Sequence, residues 1–115
     1  MAAPTKIDLQ YTREDNQPIG FVLNDADGAA VNITTGFAFT MTVNTSDDAD
    51  AGGTELFQLA GSIVSGPLGQ FKFTPTSVNT DLDADVYFYD VQQDTPTRRT
   101  IAKGQFEILT QVTLT

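Results

Sequence analysis

Catalysis needs groups that can pass a proton or an electron pair, and this chain holds few of the versatile ones. It has no His and no Cys. That removes the commonest general base, the commonest zinc ligand, thiolate nucleophiles, disulfides and iron–sulfur ligation together. Ser46, Ser62, Ser65 and Ser77 have no imidazole to activate them, and lysine is scarce. Carboxylates are plentiful, but nothing fixes two of them at a defined separation on rigid elements. No glycine-rich loop follows a strand and opens a helix to cradle phosphate. The chain reads as non-enzymatic, with no catalytic residue and no cofactor.

The remaining chemistry open to carboxylates is cation binding. Asp81, Asp83 and Asp85 alternate in Asp81-Leu82-Asp83-Ala84-Asp85, so an extended loop places them on one side, where oxygen clusters can hold Ca²⁺. The EF-hand pattern fails: Val86 stands where glycine should follow the third acid, and Gln92 holds the twelfth place. These three are weak metal candidates against the default of a solvated loop. Asn24 to Gly28 fails the same test and reads as a hairpin turn. Asp47, Asp48 and Asp50 sit in a run of small and acidic residues, Thr45 to Thr54. That run reads as a charged loop tip, able to order against a neighbouring subunit. Arg98 and Arg99 with Lys103 form the one cationic cluster, which reads equally as a partner for an acidic loop of the same or an adjacent subunit and as an ordinary basic hairpin tip.

Charge narrows the partners. Six Lys+Arg against 15 Asp+Glu give a net charge of −9 and a pI near 4.1. Duplex nucleic acid and anionic membranes are both disfavoured, since binding to either rests on cationic side chains. With 40% hydrophobic residues the chain can build a core and is not a disordered acidic tail. Met1 to Lys6 carries one cation and no apolar run, so it does not read as a signal peptide. Apolar stretches are far shorter than the roughly 20 residues a helix needs to cross a bilayer. The expectation is a whole gene product of one domain, residues 1–115, kept in an aqueous space.

The elements that would position these residues follow a period of two, the strand signature. Ile7, Leu9 and Tyr11 alternate with polar neighbours; so do Ile19, Phe21 and Leu23; Val31 and Ile33; and Phe37, Phe39, Met41 and Val43. Phe71 and Phe73 flank Lys72. Tyr87, Tyr89 and Val91 face one way, and Val86, Phe88 and Asp90 the other. Phe106 and Ile108 flank Glu107, and Val112 and Leu114 repeat the pattern. Turns are read at Asn24–Gly28, Gly66–Gly69 and Asp94–Thr97. Ser77 to Asp83 offers at most one helical turn. About 7–9 short strands at this spacing predict an all-β, antiparallel, immunoglobulin-like sandwich, with its core over about 7–113 and short extended ends at 1–6 and 111–115. Tyr87, just before a strand, matches loosely a tyrosine corner, whose hydroxyl bonds backbone a few residues upstream.

From Phe71 to Ile108 the order is recognisable. A strand ends in Thr74-Pro75-Thr76, a connector carries Asp81-Leu82, and VYFYDVQ runs from Val86. A hairpin with Arg98-Arg99-Thr100-Ile101 and GQFEI from Gly104 follow. Upstream stand DLQYTRED from Asp8, FVLNDADG from Phe21, VNIT from Val31 and FAFTMTV from Phe37. This resembles the immunoglobulin-like N-terminal domain of phage baseplate upper proteins and related small virion proteins, from about Ile7 to Thr113. The chain stops at Thr115 without a stalk or receptor-binding region, which favours a standalone decorating or joining subunit. The resemblance carries no catalytic residues. It implies a module that docks on copies of itself and on neighbouring capsid, tail or baseplate proteins, located in the virion and assembled in the host cytoplasm. The alternative is a carbohydrate- or cell-binding sandwich, possibly Ca²⁺-dependent. The unpaired edges of a sandwich accept added strands. Ala2 to Lys6 and the Thr-rich tail Gln111 to Thr115, with Thr113 and Thr115, are the expected donors.

Overall fold

Strict alternation builds the long strands. In β4 (Ala38–Asn44) Phe39, Met41 and Val43 are buried, while Thr40, Thr42 and Asn44 face outward. The inward rows continue with Phe71 and Phe73 in β7 (Gln70–Phe73), Tyr89, Val91 and Gln93 in β8 (Asp85–Thr95), and Ala102, Phe106 and Ile108 in β9 (Arg99–Leu109). The computed structural model describes residues 5–46 and 53–110, arranged as two facing sheets. The larger runs from β1 (Thr5–Lys6) and β2 (Leu9–Thr12), both beside β9, through β8 and β4 to β5 (Glu55–Ala60). The smaller is β3 (Ile19–Val22), β7 and β6 (Ser62–Ser65). The fold is the expected all-β sandwich, with the immunoglobulin-like split of strands between the two sheets.

The sandwich is not wholly antiparallel, which corrects the expectation. β1 and β2 run parallel to β9 in one unbroken register, pairing Thr5 with Ala102, Lys6 with Lys103, Leu9 with Phe106 and Thr12 with Leu109. Parallel pairing needs a long crossover, and here the domain itself is that crossover. The part of the N-terminal donor segment that is described, Thr5–Lys6, thus pairs within its own chain.

Between β1 and β2 this edge is pinned at Ile7 and Asp8. The Ile7 amide donates to the Lys103 carbonyl at 2.9 Å, and the Ile7 carbonyl accepts the Tyr89 hydroxyl at 2.6 Å. The Gln105 amide donates to the Asp8 carboxylate at 3.0 Å. Gly104 lies against this pin, where a Cβ would collide with the Ile7 carbonyl. Only a residue without a side chain lets the N-terminal strand approach so closely.

Other expectations shift. Val31 and Ile33 do not form a strand: the segment joins only through a bridge between Asn24 and Ala30, and the Ile33 amide instead bonds the Gly66 carbonyl at 2.8 Å. Strands β5 and β6 escape the period-two reading because they are edges with apolar residues on both faces. The turns at Asn24–Gly28 and Gly66–Gly69 stand as expected. The Asp25 carboxylate caps the amides of Asp27 and Ala29, and Gly69, at φ 67°, lies against the carbonyls of Leu23 and Val31. Ser77–Thr80 is a turn and not a helix, held by reciprocal bonds between Thr76 and Asn79.

Two predictions follow from the pinned edge. Gly104→Ala forces the N-terminal strand outward and should cost about 2 kcal/mol, the usual penalty of overpacking; an unchanged urea midpoint would contradict the close approach. The second concerns pH. Burial, aided by the charges of Asp15 and Asp8, pushes the Tyr11 and Tyr89 hydroxyls up to about 12. Unfolded tyrosines ionise near 10, so the stability carried by the neutral hydroxyls is complete below that value and is lost as pH rises to about 12. Tyrosinate absorbance should emerge together with unfolding in this window. Ionisation of Tyr11 or Tyr89 near 10 in the folded protein is the contrary result.

Candidate interaction surfaces

The acidic run at Asp81–Asp85 is divided among separate tasks. The Arg13 guanidinium donates to Asp81 Oδ1 at 2.8 and 2.9 Å, with the two side chains 41% and 47% exposed. Such an exposed pair contributes about 0.2–1 kcal/mol. The Asp83 carbonyl accepts the Tyr87 hydroxyl at 2.8 Å, which is the tyrosine-corner bond anticipated from sequence. The Asp85 carboxylate bonds the Val86 amide at 2.7 Å. The three carboxylates are not gathered. No group of three or more Asp or Glu that could hold a metal ion occurs among the described residues. In this loop Asp81 pairs with Arg13, the Asp83 carbonyl accepts from Tyr87 and Asp85 caps its neighbour's amide. The pairing with Arg13 was not legible because the partners are far apart in sequence.

The cationic cluster divides as well. Arg98 and Arg99 lie at the β8–β9 end of the sandwich, whereas Lys103 stands on the outer face of the larger sheet, paired across strands with Asp90. Neither arginine has a carboxylate partner among the described residues. They line a cavity of about 340 Å³ with Leu23, Val31, Phe37, Gln93 and Pro96. Gln93 is 3% exposed. Its Nε2 donates to the Thr97 carbonyl at 3.0 Å, and its Oε1 is buried with no partner. An unsatisfied buried acceptor costs about 1–3 kcal/mol. Sequence reasoning missed this residue, because a glutamine in phase with Tyr89 and Val91 was its only signal.

The outer face of the larger sheet carries a depression of about 610 Å³ lined by Thr42, Asn44, Phe88, Asp90, Lys103 and Gln105 among others. Burial raises the Asp90 pKa there, and the Lys103 charge opposes the rise. A groove of about 600 Å³ runs beside β3 between the sheets, lined by Ile7, Leu9, Phe21 and Ile101 with Arg99 at one end.

The smaller sheet and its β6–β7 turn carry several exposed large apolar side chains. Val22 is 54% exposed, Ile63 42%, Val64 57% and Leu68 56%. Val22 pairs with Gln70, which pairs with Ser65 on its other side. The register shift between Ile63 and Ser65 leaves Val64 as the extra residue of a bulge. Ile63 and Val64 lie on the edge strand β6 and Leu68 in the β6–β7 turn, whereas Val22 lies on the opposite edge strand β3. The interaction candidates Asp47, Asp48, Asp50, Thr113 and Thr115 lie outside the described residues. No helix among the described residues is long and apolar enough to cross a membrane. In comparisons with known proteins, no family model and no curated protein matches the chain.

With Asp81 held by Arg13, millimolar Ca²⁺ should leave the melting temperature unchanged. A Ca²⁺-dependent rise that Asp83→Asn abolishes would restore a cation site at this loop.

Proposed function

We propose that this chain is a non-enzymatic structural subunit of a bacteriophage virion, docking on neighbouring capsid, tail or baseplate proteins and on copies of itself. The reading starts from the resemblance of its strand-end and turn motifs to small virion proteins. The observation that carries it is the exposure of four large apolar side chains on the smaller sheet and its turn, Val22, Ile63, Val64 and Leu68. Exposed apolar side chains of this size are the groups through which a small domain can associate when a partner gathers them into one patch. The edge strand β6 adds unpaired backbone groups beside it, which an incoming strand could satisfy.

The acidic surface complements this arrangement. A net charge of −9 keeps free subunits apart and soluble, so association depends on local contacts strong enough to overcome the long-range repulsion. The small-sheet face supplies such contacts without needing opposite charge.

The test uses particles. The wild-type protein should co-sediment with them at a fixed, symmetric copy number, and Val22→Glu/Val64→Glu should remain folded but stay in the supernatant. Both side chains are exposed, so folding should change by no more than about 0.5 kcal/mol. Incorporation of the double variant at wild-type level would remove the small sheet as the docking face. Free protein that binds glycans with Ca²⁺ dependence and never enters particles would replace the structural reading with the carbohydrate one.

A further inference from the structure

We propose that the cavity at the β8–β9 end of the sandwich is a binding site for the carboxy-terminal residue of a partner chain, one ending in an apolar side chain. This site lies apart from the outward face of the smaller sheet and does not depend on the virion reading. Three chemistries converge there. Leu23, Val31, Phe37 and Pro96 give apolar walls. Gln93 contributes a carbonyl oxygen that no group among the described residues satisfies. Arg98 and Arg99 bring two guanidinium groups at the same end, with no carboxylate of the described residues paired to them.

The Gln93 amide is oriented by its own bond. Because Nε2 donates to the Thr97 carbonyl, Oε1 is the atom left over, and it requires a donor. In register, Gln93 lies beside Phe39 on one neighbouring strand and Arg99 on the other, and neither gives Oε1 a hydrogen bond. Gln93 lines the cavity, so a donor bound there, with a small movement of the amide, could satisfy Oε1. A ligand that satisfies all three features needs an apolar body, an N–H and a carboxylate within one short span. The last residue of a polypeptide carries these within one unit: its side chain, its own amide and its α-carboxylate. About 340 Å³ suits one such residue, near the low end of small-ligand sites. Bidentate guanidinium–carboxylate pairing supplies orientation as well as attraction. The chain's acidity sharpens the choice, since an anionic group is repelled from most of this surface and is drawn to the arginine pair.

The probes are N-acetyl-leucine, N-acetyl-leucinamide, and the longer peptide N-acetyl-Ser-Gly-Ser-Leu, titrated into isotope-labelled full-length protein. N-acetyl-leucine should shift the Gln93 side-chain amide and the Leu23 and Val31 methyl signals saturably. The amide form, lacking the carboxylate, should bind about tenfold more weakly, and Arg99→Gln should weaken N-acetyl-leucine by a similar factor. Gln93→Met keeps the side-chain length and removes the acceptor. It should lose the preference for N-acetyl-leucine over 4-methylpentanoate, which has the apolar body and carboxylate but no N–H. If Gln93→Met does not fold, the Arg99→Gln comparison decides alone. The proposal is overturned if no signal at Gln93, Leu23 or Val31 moves, or if Arg99→Gln binds as well as wild type. The longer peptide should bind tighter than N-acetyl-leucine; equal affinity overturns the assignment to a chain end.

Discussion

Two sheets with no cysteine between them are joined only by the side chains that meet in the gap. The contact that joins them here is the stack of Phe39 from the larger sheet on Phe71 from the smaller, with ring centroids 3.9 Å apart and planes 6° from parallel. Phe21 stacks on Phe71 from its own sheet, and Phe73 meets it edge-on. Phe71 is thus enclosed by aromatic rings and almost wholly buried. Aromatic residues bring large apolar area with defined geometry, and four phenylalanines can hold a three-stranded sheet that has few other anchors. A second aromatic group, Tyr11, Tyr89 and Phe106, fastens the N-terminal edge of the larger sheet.

That division of labour explains which parts of the surface are closed and which are open. One edge of the larger sheet is sealed by β1 and β2, pinned through Ile7, Asp8 and Gly104. The smaller sheet commits its inner face to the phenylalanine layer and leaves apolar side chains exposed at Val22, on β6 and in the β6–β7 turn, with a bulge on β6. The end of the sandwich at the β8–β9 hairpin keeps a buried amide oxygen and two arginines without carboxylate partners among the described residues. Each open feature carries a local energetic cost that association can recover, while the overall negative charge limits indiscriminate contact.

Much of the fold was legible because alternation is a local property. Phe39, Met41 and Val43, or Tyr89 and Val91, announce their buried face within a few residues of sequence, and turns such as Asn24–Gly28 are written in side chains that cap their own backbone. The Tyr87 hydroxyl bond was legible for the same reason, since its acceptor lies four residues upstream. Val31 and Ile33 misled because alternation cannot tell a strand from a connector whose apolar residues plug the end of a sandwich. Strands β5 and β6 hid because edge strands need no regular inward row. The carboxylates of Asp81, Asp83 and Asp85 looked alike in sequence and are distinguished only by what the fold sets beside them.

By itself, then, the amino-acid order determined the class of structure, the positions of the main strands, the acidic surface and the lack of imidazole and thiol chemistry. Tertiary structure decided the rest: the parallel seat of the N-terminal strand beside β9, the need for glycine at 104, the pairing of Arg13 with Asp81, the parting of Arg99 from Lys103 and the unsatisfied oxygen of Gln93. The physical reason is range. Backbone and alternation preferences act between neighbours, whereas close approach, charge pairing and burial act between groups that only the folded chain brings together.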